Sequence, residues 1–503
     1  MHRLLSQVGT LAWSLAKFRH RPLQPWLDAF LDHAAATMPR LDAQAISNLL
    51  WGLATLRLGG GDAPQAQADG ASSSGRSAAG AGASAARRCV AAAAAALPAQ
   101  AAHMAPQGLA NSAWALANLG APPGRAALGA LCAAAAGKAA GFKPAEAVML
   151  LHGLARMRCP PPPALAAVLQ ARTEAAMPCL SFAEAANMLW ALAVTGAAVQ
   201  PGWRAACLER LAGQMGAADG QALASALHAL GRLQAQPGEP FWDAVSWRLE
   251  RTAWQLDARS VATIMLGLAR VRRRPPAGVL ALLLSACLRH MPAEGGGASS
   301  SQQAAQPMQQ PLLQQHQNQQ QQASTSGRPF NSQELANVVY AAQGLRATPS
   351  RQWLAAAEAS LQLLLPQARP QEVANTLLAL TKLKHVPSQA LLEAAAGQLD
   401  ARARAGGVTE LDRDQLLRVV QSVAAQRAHA AAVASGAVAP AQARRRAEAA
   451  DGSAAVVAAA APGGPEDQVA SSLSRWMVAL QVSPMFWATY AYLLRSALVH
   501  HVL

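Results

Sequence analysis

The sequence has few aromatic residues and no stretch typical of a membrane span. Phe, Trp and Tyr make up 4% of its 503 residues, whereas alanine is abundant. The most apolar stretch, from Trp476 to Leu503, is interrupted by Pro484 and Arg495, and a span needs about 20 uninterrupted apolar residues. Alternating Val, Ile, Thr and Tyr runs are nearly absent. These features argue against strands and membrane helices, and alanine favours closely packed helices.

Signatures of catalysis and of metal binding are also missing. The sequence has no Gly-x-x-x-x-Gly-Lys-Ser/Thr loop, no His-Glu-x-x-His and no Gly-x-Ser-x-Gly. Its cysteines form no Cys-x-x-Cys pair, so we interpret them as small buried apolar residues in a reducing compartment. They are Cys89, Cys132, Cys159, Cys179, Cys207 and Cys287. We therefore predict no catalytic residue, no metal, no cofactor and no small-molecule substrate, and a protein that is not an enzyme.

Acidic residues are few relative to basic ones. There are 27 Asp and Glu against 42 Lys and Arg, which gives a net charge of +15. Such an excess favours a polyanionic partner, with nucleic acid first and an anionic membrane surface second. The alternative is a generally basic soluble protein.

One phrase recurs along the chain: Ala-Asn, two or so apolar residues, an aromatic residue or His, then Ala/Gly-Leu-Ala. We take the Asn of this phrase as the anchor of each repeat. The equivalent positions are Thr10, Asn48, Asn111, Met149, Asn187, Ser225, Thr263, Asn337, Asn375 and Arg418. Six of the nine steps between them are 38 residues, and the others exceed 38 by 25, 36 and 5. A period of this length is typical of a repeat protein.

Each repeat predicts a helical hairpin. Polar residues before the anchor are expected N-caps of a first helix of about 14 residues, namely Asp42, Ser181, Asp257, Asn331 and Asp412. Apolar residues two before the anchor and two, five and eight after it form one helical face. A proline twelve after the anchor is expected to end this helix and open a second one, which buries a large apolar residue at position sixteen. The sequence therefore predicts an all-α fold, an α-solenoid of about nine to ten stacked hairpins.

Low-complexity segments interrupt the repeats and define the predicted domains. We predict N-terminal repeats at 1–58, an insertion at 59–96, central repeats at 97–291, a disordered Gln/Ser/Gly-rich insertion at 292–328, C-terminal repeats at 329–427, an Ala-rich linker at 428–467 and a degenerate repeat or cap at 468–503. The first residues resemble a transit peptide in charge, but Trp13, Phe18 and Pro22 hold the repeat register. We therefore expect folded structure there rather than a clear transit peptide.

Basic residues recur seven and nine positions after the anchor, at the end of the first helix. They are Lys17, Arg19, Arg57, Arg156, Arg158, Arg232, Arg270, Arg272, Arg346, Lys382 and Lys384. One or two per repeat would form a row that could follow an RNA backbone. The alternative is that these cations only complement helix C-termini.

Three further positions are candidates for contact with bases or for structural roles. Polar residues three or four before the anchor could read bases, although solvated first-turn side chains are an equal alternative: Gln44, Gln107, Glu146, Glu184, Gln221, Arg259, Gln333 and Gln371. The row three after the anchor is Trp13, Trp51, Trp114, His152, Trp190, His228 and Tyr340. Because Leu266 and Leu378 replace it, core packing is the favoured interpretation and base stacking the alternative. The anchors Asn48, Asn111, Asn187, Asn337 and Asn375 are expected to be buried and to hydrogen-bond within or between repeats.

The 38-residue hairpin with an Ala-Asn-x-Leu-Trp-Ala-Leu core resembles the octotricopeptide repeat family of green algae, over residues 1 to 425. Its proline-rich junction is matched at Pro122-Pro123 and partly at Arg351-Gln352-Trp353-Leu354. The helix core is also similar to FAST-kinase-like mitochondrial RNA proteins, many relatives of which end in a RAP domain that we do not recognise here.

The resemblance implies a factor of the chloroplast or mitochondrion. It would bind single-stranded organellar RNA, in company with other RNA-processing or translation factors, and act in stabilisation, processing, splicing or translation. The alternative class is a protein-interaction scaffold of the HEAT or armadillo type. An RNA-processing enzyme would need a catalytic domain, which we do not find.

Overall fold

A computed structural model describes residues 2–58, 73–292, 328–404, 418–423 and 425–427. These residues belong to one compact unit, 1–428. Within this part of the chain, regular structure consists of α-helices and short 3₁₀ turns, without strands. The predicted all-α fold is confirmed. The predicted linker at 428–467, the cap at 468–503, nearly all of the insertion at 292–328 and the N-cap Asp412 lie outside the described residues.

The helices alternate between first and second members of consecutive hairpins. The first helices are α1 (His2–Lys17), α3 (Ala43–Thr55), α5 (Pro106–Asn118), α7 (Pro144–Arg156), α9 (Phe182–Thr195), α11 (Gly220–Leu233), α13 (Ala258–Val271), α15 (Ser332–Gly344) and α17 (Pro370–Lys382). The second helices are α2 (Gln24–Thr37), α4 (Ser73–Gln100), α6 (Arg125–Gly137), α8 (Pro163–Ala175), α10 (Pro201–Gly213), α12 (Glu239–Thr252), α14 (Ala277–Leu288), α16 (Arg351–Leu364) and α18 (Gln389–Arg404). First helices have 13 to 16 residues, as the repeat predicts.

Two layers form because each helix packs on its counterpart in the next hairpin: α1 on α3, α3 on α5, α2 on α4, α4 on α6. The first-helix layer is the more closely packed. Glycines four residues after the anchor permit this approach, because a Cβ at Gly52 would lie 2.6 Å from the Ala12 carbonyl oxygen. A Cβ added at Gly153 would lie 2.7 Å from the Ala113 carbonyl carbon, and one added at Gly267 would lie 2.6 Å from the Leu227 carbonyl oxygen. Backbone therefore meets backbone between neighbouring first helices.

The predicted N-caps are confirmed wherever they are described. Asp42 accepts a hydrogen bond from the Ala45 N–H at 2.7 Å, and Asp257 accepts one from the Ser260 N–H at 2.8 Å. Ser181 and Asn331 form capping boxes with the carboxylates three residues later. Each of these side chains satisfies a backbone donor that the first turn of a helix leaves free.

First helices do not end at the proline, and that expectation is wrong. They end seven or eight residues after the anchor, just before the residue nine after it, which takes a left-handed conformation in every described hairpin: for example, φ is +56° at Arg158 and +70° at Gly196. A left-handed residue turns the chain sharply and ends the helical hydrogen-bond ladder. The proline follows three residues later, in the connection to the second helix.

Most predicted core positions are buried, but position eight after the anchor is not consistently so: Phe18 is 82% exposed and Leu56 is half-buried. Ile46, Leu50 and Leu53, at positions two before and two and five after the anchor in α3, are at most 2% exposed. The large residues at position sixteen are buried in most second helices, as Trp203 and Trp353 show. Trp26 of the first hairpin is the exception: it is 45% exposed and stacks on Phe30 with a centroid distance of 5.4 Å.

The insertion expected at 59–96 ends earlier than predicted. Helix α4 runs from Ser73 to Gln100, and Cys89, Val90, Ala93 and Leu97 on it are buried against the core. Residues 85–96 thus belong to the second helix of the second hairpin. The low-complexity composition concealed this helix because alanine and glycine supply little apolar periodicity.

The cysteines largely fill the predicted role. Cys89, Cys132, Cys207 and Cys287 are buried free thiols, and burial raises the pKa of the Cys207 thiol to about 12. Cys159 is half-buried and Cys179 is exposed, so the expectation of burial is wrong for these two. The four buried thiols stay protonated at neutral pH and pack as small apolar groups.

Candidate nucleic-acid interface

Each first helix leaves one narrow stripe facing solvent. The stripe contains the residues four before the anchor, the anchor itself, and those three and seven after it, a spacing that keeps one side of an α-helix in view. In α3 these are Gln44, Asn48, Trp51 and Thr55, which are exposed or half-buried while the intervening Leu49 and Leu50 are buried. Stacking repeats this stripe in every hairpin, and we call the repeated surface the first-helix face.

The eleven predicted basic residues all lie exposed at the C-terminal edge of this face. They form two rows, which we call the seven-row and the nine-row after their distance from the anchor. The seven-row comprises Lys17, Arg156, Arg232, Arg270 and Lys382, and the nine-row comprises Arg19, Arg57, Arg158, Arg272, Arg346 and Lys384. Within the described residues, none of the eleven forms an ion pair with a carboxylate. Their charges are therefore not neutralised by the protein.

The nine-row occupies the left-handed position that ends each first helix. All six of its members have positive φ, from +50° at Arg346 to +64° at Lys384. This conformation costs a residue with a side chain about 1 kcal/mol, and glycine avoids the cost. Gly120 and Gly196 occupy the same position in two other hairpins, so the fold accepts glycine there. Six hairpins thus carry a cation where backbone geometry favours glycine.

Side chains of the nine-row are not used to cap the helix. Among the described residues, none of the six donates a side-chain hydrogen bond to a helix-end carbonyl. Arg232 of the seven-row does so: its Nε donates to the Ala193 carbonyl at 3.1 Å, and Arg156 donates to the Asn118 side chain of the preceding hairpin. Helix-end hydrogen bonding therefore accounts for part of the seven-row but not for the nine-row.

Like charges act on one another on the first-helix face. Burial and then the neighbouring Arg232 lower the pKa of the Arg270 guanidinium, and burial and then Arg259 lower that of Arg156. Cations held together without a counter-ion repel each other, which destabilises the free protein. A bound polyanion would remove this repulsion.

A separate set of basic residues holds the second-helix layer together, and sequence reasoning missed it. Arg172, Arg210 and Arg248 donate from Nε to the carbonyls of Phe142, Leu180 and Ala218 in the preceding hairpin, at 3.0, 2.7 and 2.8 Å. These three arginines are 38 residues apart, and that spacing is the signal that could have identified them. Part of the +15 charge is therefore structural.

The proposed base-reading positions separate into two groups. Gln44, Gln107, Gln221, Arg259, Gln333 and Gln371 lie four before the anchor and are exposed on the first-helix face. Glu146 and Glu184 lie one residue later, where their carboxylates accept from the backbone N–H of Lys143 and Ser181 at 3.0 and 2.8 Å. These two glutamates cap their helices, so their carboxylates are engaged by the backbone and are weaker candidates for contact with bases than the other six.

The row three after the anchor lies at the edge of the core: Trp114 and Trp190 pack against the core, as the favoured interpretation expects, whereas other members of the row face solvent. Trp13 is 41% and Tyr340 50% exposed, and the other rings of the row are half-buried. The Lys17 ammonium lies 5.4 Å from the Trp13 ring centroid and 5.5 Å from that of Trp51. The His152 and Trp190 rings of adjacent hairpins are 5.2 Å apart. Aromatic rings and cations thus alternate on one surface.

Burial keeps the two histidines of this row uncharged. It lowers the pKa of His152 to about 4, helped by Arg156, and that of His228 to about 4, helped by Arg270 and Arg232. The His228 Nδ1 is buried without a hydrogen-bond partner. Both rings are therefore neutral aromatic groups at physiological pH.

The anchor asparagines also lie on the first-helix face, so the expectation that they are buried is wrong. Asn48, Asn111, Asn187 and Asn337 are half-buried and Asn375 is exposed. The Asn48 Oδ1 accepts from the Gln44 Nε2 at 2.9 Å, one turn earlier on the same helix. This hydrogen bond lies within one repeat, as expected for an anchor asparagine.

No protein-family model and no curated protein matches the chain. The described helices include none that is both long and apolar enough to cross a membrane. The same residues contain no group of three or more His, Cys, Asp or Glu side chains arranged to hold a metal ion. The first-helix face, with its basic rows and aromatic row, is the candidate site that the geometry defines.

Proposed function

We propose that this chain binds single-stranded RNA along the first-helix face. The observation that carries the proposal is the nine-row: six exposed cations without an ion pair among the described residues, each held in a left-handed conformation that glycine would adopt at lower cost. Six of the nine described first helices offer such a cation at the same end, and cations at repeated spacing suit the regularly spaced phosphates of a nucleic-acid strand.

Base contacts would come from the middle and the start of each first helix. The residue four before the anchor is a Gln in five of the six exposed cases given above and an Arg in the sixth. Amide side chains can donate to and accept from base edges. Because each hairpin offers one such position, we propose that a hairpin reads about one nucleotide, as in other helical repeats that bind RNA.

The resemblance to octotricopeptide repeats supports the cellular setting of this proposal. We infer a factor of the chloroplast or mitochondrion that binds one or a few transcripts and acts in their stabilisation, processing, splicing or translation. The chain would act by binding rather than by catalysis.

The test is RNA crosslinking and sequencing with the tagged full chain in its native cells. The proposal predicts one or a few organellar transcripts, each with a protected footprint of about 8 to 12 nucleotides. Background RNA alone, together with stable co-purification of proteins, would favour a HEAT- or armadillo-type scaffold instead.

A further inference from the structure

We propose that the row three after the anchor is a platform on which unpaired bases stack. This inference rests on the proposed function, because it assigns the base-contacting part of the same surface. It also names the ligand class more narrowly: a strand with accessible base faces, rather than a duplex or any other polyanion. Rings occupy this row in the first six hairpins and again in the hairpin of α15.

The exposure of the row supplies the first argument. Tyr340 is 50% and Trp13 41% exposed, although large aromatic side chains gain free energy by burial. Leucine stands at the same position in α13 and α17, where Leu266 is 7% and Leu378 37% exposed. The fold therefore does not need an aromatic ring here, and most hairpins nonetheless present one to solvent.

Ring spacing decides how a base would be held. A base inserted between two rings needs about 7 Å between them, twice the van der Waals separation of about 3.5 Å. The His152 and Trp190 centroids are only 5.2 Å apart, and Lys17 fills the space between Trp13 and Trp51. Bases would therefore lie over the row rather than between neighbouring hairpins.

The position of the platform relative to the basic rows supplies the third argument. Four residues separate the ring position from the seven-row, which is a rise of about 6 Å along an α-helix. A nucleotide has its base and its phosphate at opposite ends, so a strand laid across successive hairpins can place bases on the rings and phosphates at the cations. Burial keeps the His152 and His228 rings neutral, so each adds an uncharged aromatic surface to the row.

The experiment compares ligands of equal charge and length that differ in their bases. The full chain is titrated with oligoadenylate, oligouridylate and an abasic ribose-phosphate strand, each of about 12 units, and binding is followed by fluorescence anisotropy. Stacking on an aromatic side chain strengthens binding by about tenfold per base. We therefore expect both base-bearing strands to bind at least tenfold more tightly than the abasic strand. Equal binding of all three would overturn the stacking platform but leave an electrostatic RNA-binding face. No binding of any strand would refute the proposed function itself.

A set of variants tests the same point on the protein. In W13L/W51L/W114L the three rings are replaced by the residue found naturally at Leu266 and Leu378, so the fold is expected to be retained, as a circular-dichroism melt would verify. The exposed tryptophans of the second-helix α12 region, Trp247 and Trp254, provide the matched control W247L/W254L. We expect the triple variant to lose at least tenfold in affinity for oligoadenylate and to bind the abasic strand unchanged, while the control keeps both affinities. Parallel losses for both ligands would show a structural effect and contradict the platform.

Discussion

Replacing nine-row arginines by glycine should make the protein more stable and a weaker RNA binder. Arg158, Arg272 and Arg346 have φ of +56°, +58° and +50°, and each loses about 1 kcal/mol by this conformation. Glycine removes that cost but gains entropy in the unfolded chain, which offsets about half of the benefit. For R158G/R272G/R346G we expect the free energy of unfolding to rise by about 1 to 2 kcal/mol.

Binding should change in the opposite direction. Each phosphate contact that is lost reduces the slope of log K against log salt concentration by about 0.7 for a single strand. The triple variant should therefore lower that slope by about 2 and weaken binding most strongly at low salt. Urea titration measures the free energy of unfolding, and anisotropy titrations between about 50 and 200 mM salt measure the salt slope of binding.

The matched control removes the same charge from the second helices. Arg125, Arg204 and Arg351 are exposed on α6, α10 and α16, and R125Q/R204Q/R351Q should leave the salt slope nearly unchanged. The lysine variant R158K/R272K/R346K keeps charge and backbone conformation, so it should keep both stability and slope. If the glycine variant lost stability, the argument that the nine-row arginines are held in a costly conformation would be refuted. If the glycine variant and the second-helix control changed the salt slope equally, the assignment of the nine-row to phosphate binding would be refuted.

Three further predictions follow from the packing. G153A should destabilise the stack by about 1 to 3 kcal/mol, because its Cβ would meet the Ala113 backbone at 2.7 Å. The control G129A on α6, where nothing lies within 4 Å of the added Cβ, should raise stability. A lower unfolding free energy for G129A than for G153A would contradict the close approach of neighbouring first helices. The unfolding free energy should fall as pH drops from about 6.5 towards 4, because His152 and His228 have folded pKa values of about 4 and only the unfolded chain binds protons at these two residues in that range. The loss is about 2 to 3 kcal/mol of unfolding free energy per histidine. If H152L/H228L showed the same pH profile of stability as the original protein, the two histidines would not be its cause. R210Q removes the hydrogen bond to the Leu180 carbonyl and should lower stability by about 1 to 2 kcal/mol. RNA affinity in anisotropy titrations should stay unchanged. A loss of affinity without a loss of stability would place Arg210 in the RNA interface instead.

Local chemistry made the repeat architecture predictable. The N-caps Asp42, Ser181, Asp257 and Asn331 act on the turn that immediately follows them, and the buried positions of the first helix repeat at helical spacing. The basic rows could also be located, because a cation that recurs at a fixed position of most repeats can be recognised without knowledge of the neighbouring hairpin.

Features that depend on a neighbouring hairpin could not be predicted. A first helix in this stack is covered by the preceding and following first helices and by its own partner, so only a narrow stripe remains exposed. Apolar periodicity does not show where that stripe lies, so it could not separate the rings that pack against the core, such as Trp114, from those that face solvent, such as Trp13. Gly52, Gly153 and Gly267 are needed because the backbone of the neighbouring first helix leaves no room for a Cβ, and the sequence of one hairpin does not show this contact. The left-handed arginines were missed because this conformation is usually signalled by glycine or asparagine.

The most direct test of the RNA-binding face is to map where RNA touches the protein. Purified full chain is crosslinked by ultraviolet light to a bound single-stranded RNA pool, and crosslinked peptides are identified by mass spectrometry. RNA bound on the first-helix face should give adducts in α3, α5, α9 and α11, near Trp51, Trp114, Trp190 and His228, and at nine-row residues such as Arg57, which follows α3. Adducts confined to the second helices, or to segments outside the hairpins, would contradict RNA binding on this face.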